Sequence, residues 1–178
     1  AKELGMDSIA ITDHGVMFGV IDFYKACKAN GVKPIIGCEV YVAPRTRFDK
    51  EAGIDNKYNH LILLAKNNNG YKNLSKIVSL GFLDGYYYKP RIDKEILEKY
   101  HEDLICCSAC LAGELPQAIL KNDMEKAEET ALWFKNLFGE DYYLEIQANR
   151  LREQALVNQK LIALSQTLNI PIVATNDA

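Results

Sequence analysis

Short apolar runs rich in β-branched residues alternate along this chain with longer segments whose apolar positions recur every three or four residues. The short runs predict strands at 7–12, 34–42, 60–65, 103–108, 142–147 and 171–175. The longer segments predict helices at 18–29, 69–80, about 93–100, 123–138 and 151–168. Regular alternation of strands and helices is typical of βαβ units, and it predicts an α/β fold with a mainly parallel sheet.

Residues that can bind a metal ion recur where the predicted strands begin or end. They are His14, Glu39, His60, Cys110 and Asp177. In α/β barrels the rim at one end of the strands gathers side chains from many strands into one site. We therefore expect these five residues to converge on one rim, and a closed barrel rather than an open sheet. A mixed set of His, Glu, Cys and Asp ligands is typical of a metal centre for hydrolysis.

Each of these residues also has a structural interpretation when it is considered alone. The pair Asp13-His14 could cap a helix, Glu39 could face solvent from its strand, and His60 could lie at the edge of a core. Asp177 could also cap a helix, while His101 lies in a polar turn and is interpreted as a surface residue. The repeated position at strand ends, rather than any single residue, indicates the metal site.

The five cysteines do not resemble a disulfide framework, because their number is odd and three of them are clustered. This usage favours a reducing cytoplasm. Cys107 and Cys110 have C-x-x-C spacing, but a structural zinc site would need a second such pair or paired histidines. A thioredoxin-like dithiol is the alternative, and Cys110 as a single thiolate in the mixed site fits better.

Composition excludes some functions and limits others. The chain of 178 residues is 48% hydrophobic and 25% charged, and no apolar run reaches the ~18 residues of a membrane span. A net charge of −3 means that any nucleic-acid contact must be local. Candidate DNA-binding residues are Arg45 and Arg47 in a polar loop, and Lys89 and Arg91 in an aromatic segment. The alternative is a packed corner with solvated charges.

Several longer segments together resemble one known family. They are Thr12–Gly15, Gly37–Val42, His60–Ala65, Tyr88–Asp93, Ser108–Leu111 and Val173–Asp177. In this order and spacing they resemble the PHP (polymerase and histidinol phosphatase) domain, in the version at the N-terminus of bacterial C-family replicative polymerases, the DNA polymerase III alpha subunits. The chain starts at what looks like a helix end and stops at a predicted strand end. We therefore interpret residues 1–178 as a partial PHP domain, without the palm, fingers and thumb of a polymerase.

The resemblance implies a distorted seven-stranded (β/α) barrel that lacks its first strand here. It also implies up to three divalent metal ions, zinc or manganese, with magnesium serving the parent polymerase. The implied activity is phosphodiester hydrolysis as a 3′–5′ exonuclease, within a parent that performs DNA-templated DNA synthesis in the cytoplasm. The alternative is a non-catalytic scaffold, stabilised by metal, that braces the polymerase and binds replisome partners. A stand-alone enzyme like histidinol phosphatase is a further alternative.

Roles for individual residues follow from the same resemblance. The implied metal ligands are His14, Glu39, His60, Cys110 and Asp177. Of these, Glu39 and Asp177 are the expected catalytic carboxylates, and Asp13 is expected to orient the rim by hydrogen bonds rather than to bind metal. The family's His-x-His motif would precede Ala1. Expected partners are DNA and other replisome subunits, with no membrane.

Overall fold

The computed structural model describes residues 1–176 of the chain, in which strands and helices alternate. The eight strands of this part of the chain are β1 (Ser8–Ile11), β2 (Lys33–Val42), β3 (Asn59–Ala65), β4 (Tyr86–Tyr87), β5 (Lys89–Ile92), β6 (Leu104–Cys107), β7 (Tyr142–Gln147) and β8 (Ile172–Thr175). Its six α-helices are α1 (Val20–Ala29), α2 (Asn68–Leu83), α3 (Lys94–Tyr100), α4 (Glu114–Leu120), α5 (Met124–Phe138) and α6 (Arg152–Leu168). The predicted α/β fold is confirmed.

Three helices begin at a polar side chain that accepts hydrogen bonds from the first turn. Asn67 caps α2, because its side-chain oxygen accepts from the backbone N–H groups of Asn69 and Gly70 at 2.9 and 3.1 Å. Asp93 caps α3 and Asp123 caps α5 in the same way. These caps satisfy N–H groups that have no partner inside the helix, and each contributes about 1 kcal/mol.

The chain divides into two compact units, residues 1–58 with 62–104 and residues 59–61 with the segment from 105 onward. In the first unit β2 is the central strand. β1 pairs in parallel with its first half, where Ile11 is opposite Ile36. β5 pairs in parallel with its last residues, where Tyr41 is opposite Arg91, and β4 is antiparallel to β5.

Strand β3 runs antiparallel to β2, unlike the other long strands. Gly37 in β2 faces the main-chain oxygen of Leu63. Pro34, earlier in β2, lines a cavity together with Lys66, which follows the end of β3. Residue numbers therefore rise along β2 as they fall along the part of β3 that belongs to the first unit.

In the second unit β6, β7 and β8 form consecutive parallel pairs. Cys106 is opposite Tyr142, and Leu144 is opposite Ile172. The Tyr142 side chain is fully buried, and its ring stacks on that of Phe134 at a centroid distance of 5.4 Å. Helices α5 and α6 pack on β7, and α4 packs against both of these helices. None of the described helices is long and apolar enough to cross a membrane.

Two elements were not predicted from the sequence. β4 and β5 form a short hairpin whose turn residue, Tyr88, has a left-handed φ of 60°. An aromatic residue is uncommon in such a turn, and Pro90 in the following strand is uncommon inside a sheet, so the segment gave no hairpin signal. Helix α4 contains Pro116 in its first turn, where proline is tolerated, and the helix is too short to show a clear periodicity.

Candidate metal centre

His14 and Glu39 lie side by side where the chain leaves β1. After β1 ends, the chain stays hydrogen-bonded to β2. The Glu39 N–H donates to the Asp13 carbonyl at 3.1 Å, and the Gly15 N–H donates to the Glu39 carbonyl at 2.8 Å. His14 and Glu39 are thus bridged in parallel. Their side chains meet as well, because His14 Nδ1 is 2.6 Å from Glu39 Oε1.

The chain after β1 packs closely against β2 and β5, and this close approach depends on Gly15. Its φ is +69°, which glycine adopts without strain. A Cβ atom at this position would lie 2.6 Å from the Tyr41 ring and 3.1 Å from the ring of Pro90. Gly15 therefore fixes how the chain turns directly after His14.

Cys38, the residue before Glu39, has different surroundings from Glu39. Cys38 is fully buried, and burial raises the pKa of its thiol to about 12. The thiol donates to the carbonyls of Asp13 and Val16 at 3.3 and 3.4 Å. Cys38 is therefore a neutral core residue, whereas Glu39 points toward a histidine whose side chain is 62% exposed.

A second pair of candidate ligands is found in the second unit. Cys110 Sγ lies 3.5 Å from His60 Nδ1. His60 is held by its backbone, because its N–H donates to the Ala112 carbonyl at 3.0 Å. The loop between them is tightly shaped: Ala109 has a φ of 63°, and a Cβ on Gly113 would lie 2.3 Å from the Ser108 carbonyl oxygen.

Each unit therefore holds one pair of predicted ligands, His14 with Glu39 in the first and His60 with Cys110 in the second. Imidazole, carboxylate and thiolate donors suit zinc and related divalent ions. Asp177 lies outside the described residues. Asp13 contributes its main-chain carbonyl to the frame of the site, and its predicted orienting role through the carboxylate stays a prediction.

The prediction that Arg91 binds DNA is not supported, because Arg91 is fully buried. Its guanidinium donates to the main-chain carbonyls of Gly85 at 3.1 Å, Asp55 at 2.7 Å, Arg47 at 3.2 Å and Asp49 at 2.9 Å. All of these carbonyls belong to the polar loop between β2 and β3 or to the start of the β4–β5 hairpin. Arg91 therefore holds the loop after β2 in place from inside.

Arg47 and Arg45 also have internal partners. Arg47 is 9% exposed, and its Nη1 donates to Asp93 and Glu95 at 3.0 and 2.8 Å, so its charge is neutralised inside the unit. Arg45 is half-exposed and is paired with the fully buried Asp55 and with Glu51. Of the four basic residues, Lys89 alone is an exposed cation with no carboxylate partner among the described residues.

One buried carboxylate, Glu145 in β7, was not predicted as a site residue. It is 4% exposed, and its Oε1 accepts hydrogen bonds from Thr175 Oγ1 at 2.5 Å and Gln147 Nε2 at 3.3 Å. Its signal in the sequence is the one that marked Glu39, a glutamate inside a run of strand-forming residues. Through Thr175 it holds the end of β8, two residues before Asp177.

The α/β fold and the His/Glu group at its strand ends define a domain with a possible metal site. The chain belongs to the PHP domain family, whose model matches residues 1–149.

Curated relatives of the chain are DNA polymerase III alpha subunits. Those of Borreliella burgdorferi and Treponema pallidum are each 50% identical to it, over 100% and 99% of the chain. The subunit of Aquifex aeolicus is 48% identical over 100% of the chain. The chain spans only 15–16% of the length of these relatives.

A crystal structure from Bifidobacterium adolescentis, described as a candidate metal-dependent phosphoesterase, has a similar fold. Its TM-score is 0.52 at 12% identity, and the match covers 98% of this chain and 78% of that one. The likeness confirms the predicted fold class and, at this identity, shows the fold alone.

Proposed function

We propose that this PHP domain is a metal-dependent phosphoesterase that acts as a 3′–5′ exonuclease within a DNA polymerase III alpha subunit. The observation that carries the proposal is the His14–Glu39 pair, in which an imidazole nitrogen lies 2.6 Å from a buried carboxylate oxygen just beyond the end of β1. Glu39 is central to it, because a buried carboxylate is costly unless a histidine or an ion compensates it.

The residues present fit a divalent ion. We infer that Glu39 would be the central carboxylate ligand, and that His14, His60, Cys110 and Asp177 would be the other ligands of the divalent ions. Zinc suits the histidine, carboxylate and thiolate donors, and manganese is the alternative. A bound divalent ion would acidify a water molecule and polarise a phosphoryl oxygen. The protein itself fixes the ligands through the Asp13–Glu39–Gly15 backbone frame.

The activity of the parent protein follows from its relatives. At 48–50% identity to DNA polymerase III alpha subunits, we infer a parent that performs magnesium-dependent DNA synthesis in the cytoplasm with other replisome subunits. The palm, fingers and thumb of such a polymerase would lie outside residues 1–178. DNA would be the shared substrate of the polymerase and of the exonuclease site.

One observation favours a second function, a scaffold without turnover. His14 and Glu39 already satisfy each other by a 2.6 Å contact, so the pair can stabilise the rim as a hydrogen-bonded unit. A metal ion would then add folding stability only. A stand-alone histidinol-phosphatase-like enzyme is less favoured, because the relatives cited above are polymerase subunits.

The deciding experiment is an exonuclease assay on single-stranded DNA with the full-length protein, loaded with Mn²⁺ or Zn²⁺, and its Glu39→Gln variant. Glutamine keeps the size of the side chain but removes the charge. We expect at least an about 100-fold loss of exonuclease rate, with nucleotide addition unchanged. Glu125 is an exposed residue in the first turn of α5, so Glu125→Gln is the matched control. This variant should digest DNA at the wild-type rate.

The outcomes separate the two functions. Equal digestion by wild-type and Glu39→Gln protein would overturn the site assignment. If neither protein digests DNA but Glu39→Gln loses bound metal and melts earlier, the scaffold function is supported.

A further inference from the structure

Lys89 begins the strand that pairs with β2 two residues beyond Glu39. β5 pairs with β2 in parallel, with Tyr41 opposite Arg91 and Val42 opposite Ile92. Glu39 itself pairs with His14, so β5 joins β2 just beyond the His14–Glu39 bridge. Because side chains alternate between faces along a strand, Lys89 and Glu39 belong to the same face as the Tyr41–Arg91 pair.

A second set of contacts brings Lys89 close to the loop that carries His14. The Lys89 ammonium lies over the Tyr41 ring at 5.5 Å from its centroid, within the range of a cation–π contact. The Tyr41 ring packs against Gly15, as does the ring of Pro90, the residue after Lys89. The same two neighbours of Lys89 therefore support the backbone next to His14.

The charge of Lys89 differs from that of the other basic residues around it. Arg45 and Arg47 form ion pairs with aspartates and glutamates. Among residues 1–176 no carboxylate forms an ion pair with the exposed Lys89. Since the His14 side chain is 62% exposed, the His14–Glu39 pair is open to solvent. A free cation on this open face is suited to an anion.

We propose that Lys89 binds a phosphoryl oxygen of the substrate beside the His14–Glu39 pair. The inference rests on the proposed phosphoesterase function and deepens it, because it assigns the contact that recognises the anionic ester. An ammonium group offers three donors as a point charge, which suits a phosphate, and the Tyr41 ring limits where the flexible side chain goes. The substrate class is then a phosphate ester with a free anionic oxygen.

The test measures binding separately from hydrolysis. Isothermal titration of the Mn²⁺-loaded full chain with inorganic phosphate and with thymidine 5′-monophosphate would compare wild type with Lys89→Met, Lys89→Arg and Lys99→Met. Methionine keeps the apolar stem that packs on the ring. Lys99, whose ammonium lies 5.6 Å from the Tyr100 ring centroid, is the matched control because it has the same lysine–tyrosine contact in α3.

We expect Lys89→Met to weaken phosphate and nucleotide binding about 5- to 10-fold, the scale of one charge-assisted contact at an exposed site. Lys89→Arg should restore most of the affinity. Mn²⁺ affinity should be the same in all variants. For a short oligo(dT), the slope of log K against log salt should fall by about 0.7 in Lys89→Met, as expected for one lost phosphate contact.

Each other outcome overturns the proposal. Wild-type affinity in Lys89→Met would exclude the contact, and so would an equal loss in Lys99→Met, which would indicate a general charge effect. Absence of phosphate binding by the metal-loaded wild type would exclude an anion site. Failure of the hydrolysis assay with phosphate binding intact would instead count against the proposed phosphoesterase function alone.

Discussion

Two groups of polar residues in the first unit differ in what satisfies them. The Arg91 guanidinium is fully buried, and its donors are used by four main-chain carbonyls of the protein itself. Glu39 is also buried, but it faces His14, whose side chain is 62% exposed. A polar group satisfied entirely by backbone is a structural element, whereas a buried carboxylate aimed at an open imidazole can exchange its partner for an ion.

The strongest test of this comparison is removal of the Arg91 guanidinium. Arg91→Met should lower the free energy of unfolding by about 3–5 kcal/mol, because buried carbonyls of the polar loop lose their donors. Arg91→Lys should not restore this stability, since a single ammonium cannot reproduce the planar fork. Urea unfolding of Arg91→Met measures the effect, with the exposed Arg150→Met as control. A loss below about 1 kcal/mol would show that the loop does not depend on Arg91.

Gly15→Ala should have the next largest effect, and it acts on the metal pair. Alanine would have a strained φ and would place its Cβ against the Tyr41 ring. Strain costs about 1–2 kcal/mol and the overlap about 1–3 kcal/mol. We expect weaker Mn²⁺ binding as well, because His14 is the adjacent residue.

Gly5→Ala is the matched control for this substitution. Gly5 has a φ of +74°, but no atom lies within 4 Å of its would-be Cβ, so the variant shows the cost of strain alone. Thermal melts and Mn²⁺ titrations of both variants give the comparison. Equal destabilisation in the two, with unchanged metal affinity in Gly15→Ala, would show that the contact with Tyr41 has no role.

The residues of the candidate metal site also show what could be predicted from the sequence. Asp13, His14 and Glu39 were predicted as site residues because they follow or interrupt runs of strand-forming residues. His60 lies at the start rather than the end of its strand, and its Nδ1 is 3.5 Å from Cys110 Sγ, so these two predicted ligands meet within the second unit. Direction of pairing is not encoded in apolar periodicity, so the pattern indicated His60 as a ligand without showing which residues it would meet.

Basic residues were the least predictable part of the candidate site. Arg47, Arg91 and Lys89 are all found in polar or aromatic segments, and the sequence alone gives them similar surroundings. Two of them turn inward, because Arg91 donates to main-chain carbonyls of the long loop after β2 and Arg47 donates to Asp93 at the start of α3. Whether a basic side chain meets solvent depends on how the loop folds over it, which the local sequence pattern does not reveal.

A pH titration tests the loop network around Asp55 and should show a smaller effect. Hydrogen bonds from Arg45 hold the pKa of the buried Asp55 carboxyl below its usual value. A lowered pKa in the folded state means that the stabilisation is present above the unfolded pKa of about 3.9 and is lost as pH falls through the folded pKa. Stability measured between pH 7 and pH 2 should therefore decline below about pH 4.

Asp55→Asn should remove part of this decline, and Arg45→Met should remove a similar part because Arg45 is the main cause of the shift. Asp49 and Asp103 also have lowered pKa values, so some acid sensitivity should remain in both variants. A slope in Asp55→Asn identical to that of the wild type would show that Asp55 does not couple folding to pH.

The smallest expected effect separates two cysteines that lie near candidate ligands. Cys38 precedes Glu39, but its buried neutral thiol only donates to main-chain carbonyls, so Cys38→Ala should cost about 1 kcal/mol and leave metal affinity unchanged. Cys110 lies 3.5 Å from His60 Nδ1, and if it is a ligand, Cys110→Ala should weaken Zn²⁺ binding at least about tenfold with a smaller loss for Mn²⁺, which prefers oxygen donors. Competition titrations of both variants against a zinc chelator measure the difference.

Because a thiolate ligand must lose its proton, the Zn²⁺ affinity of the wild type should rise with pH more steeply than that of Cys110→Ala. Equal Zn²⁺ affinities in the two variants would remove Cys110 from the site and leave His14, Glu39 and His60 as its described ligands.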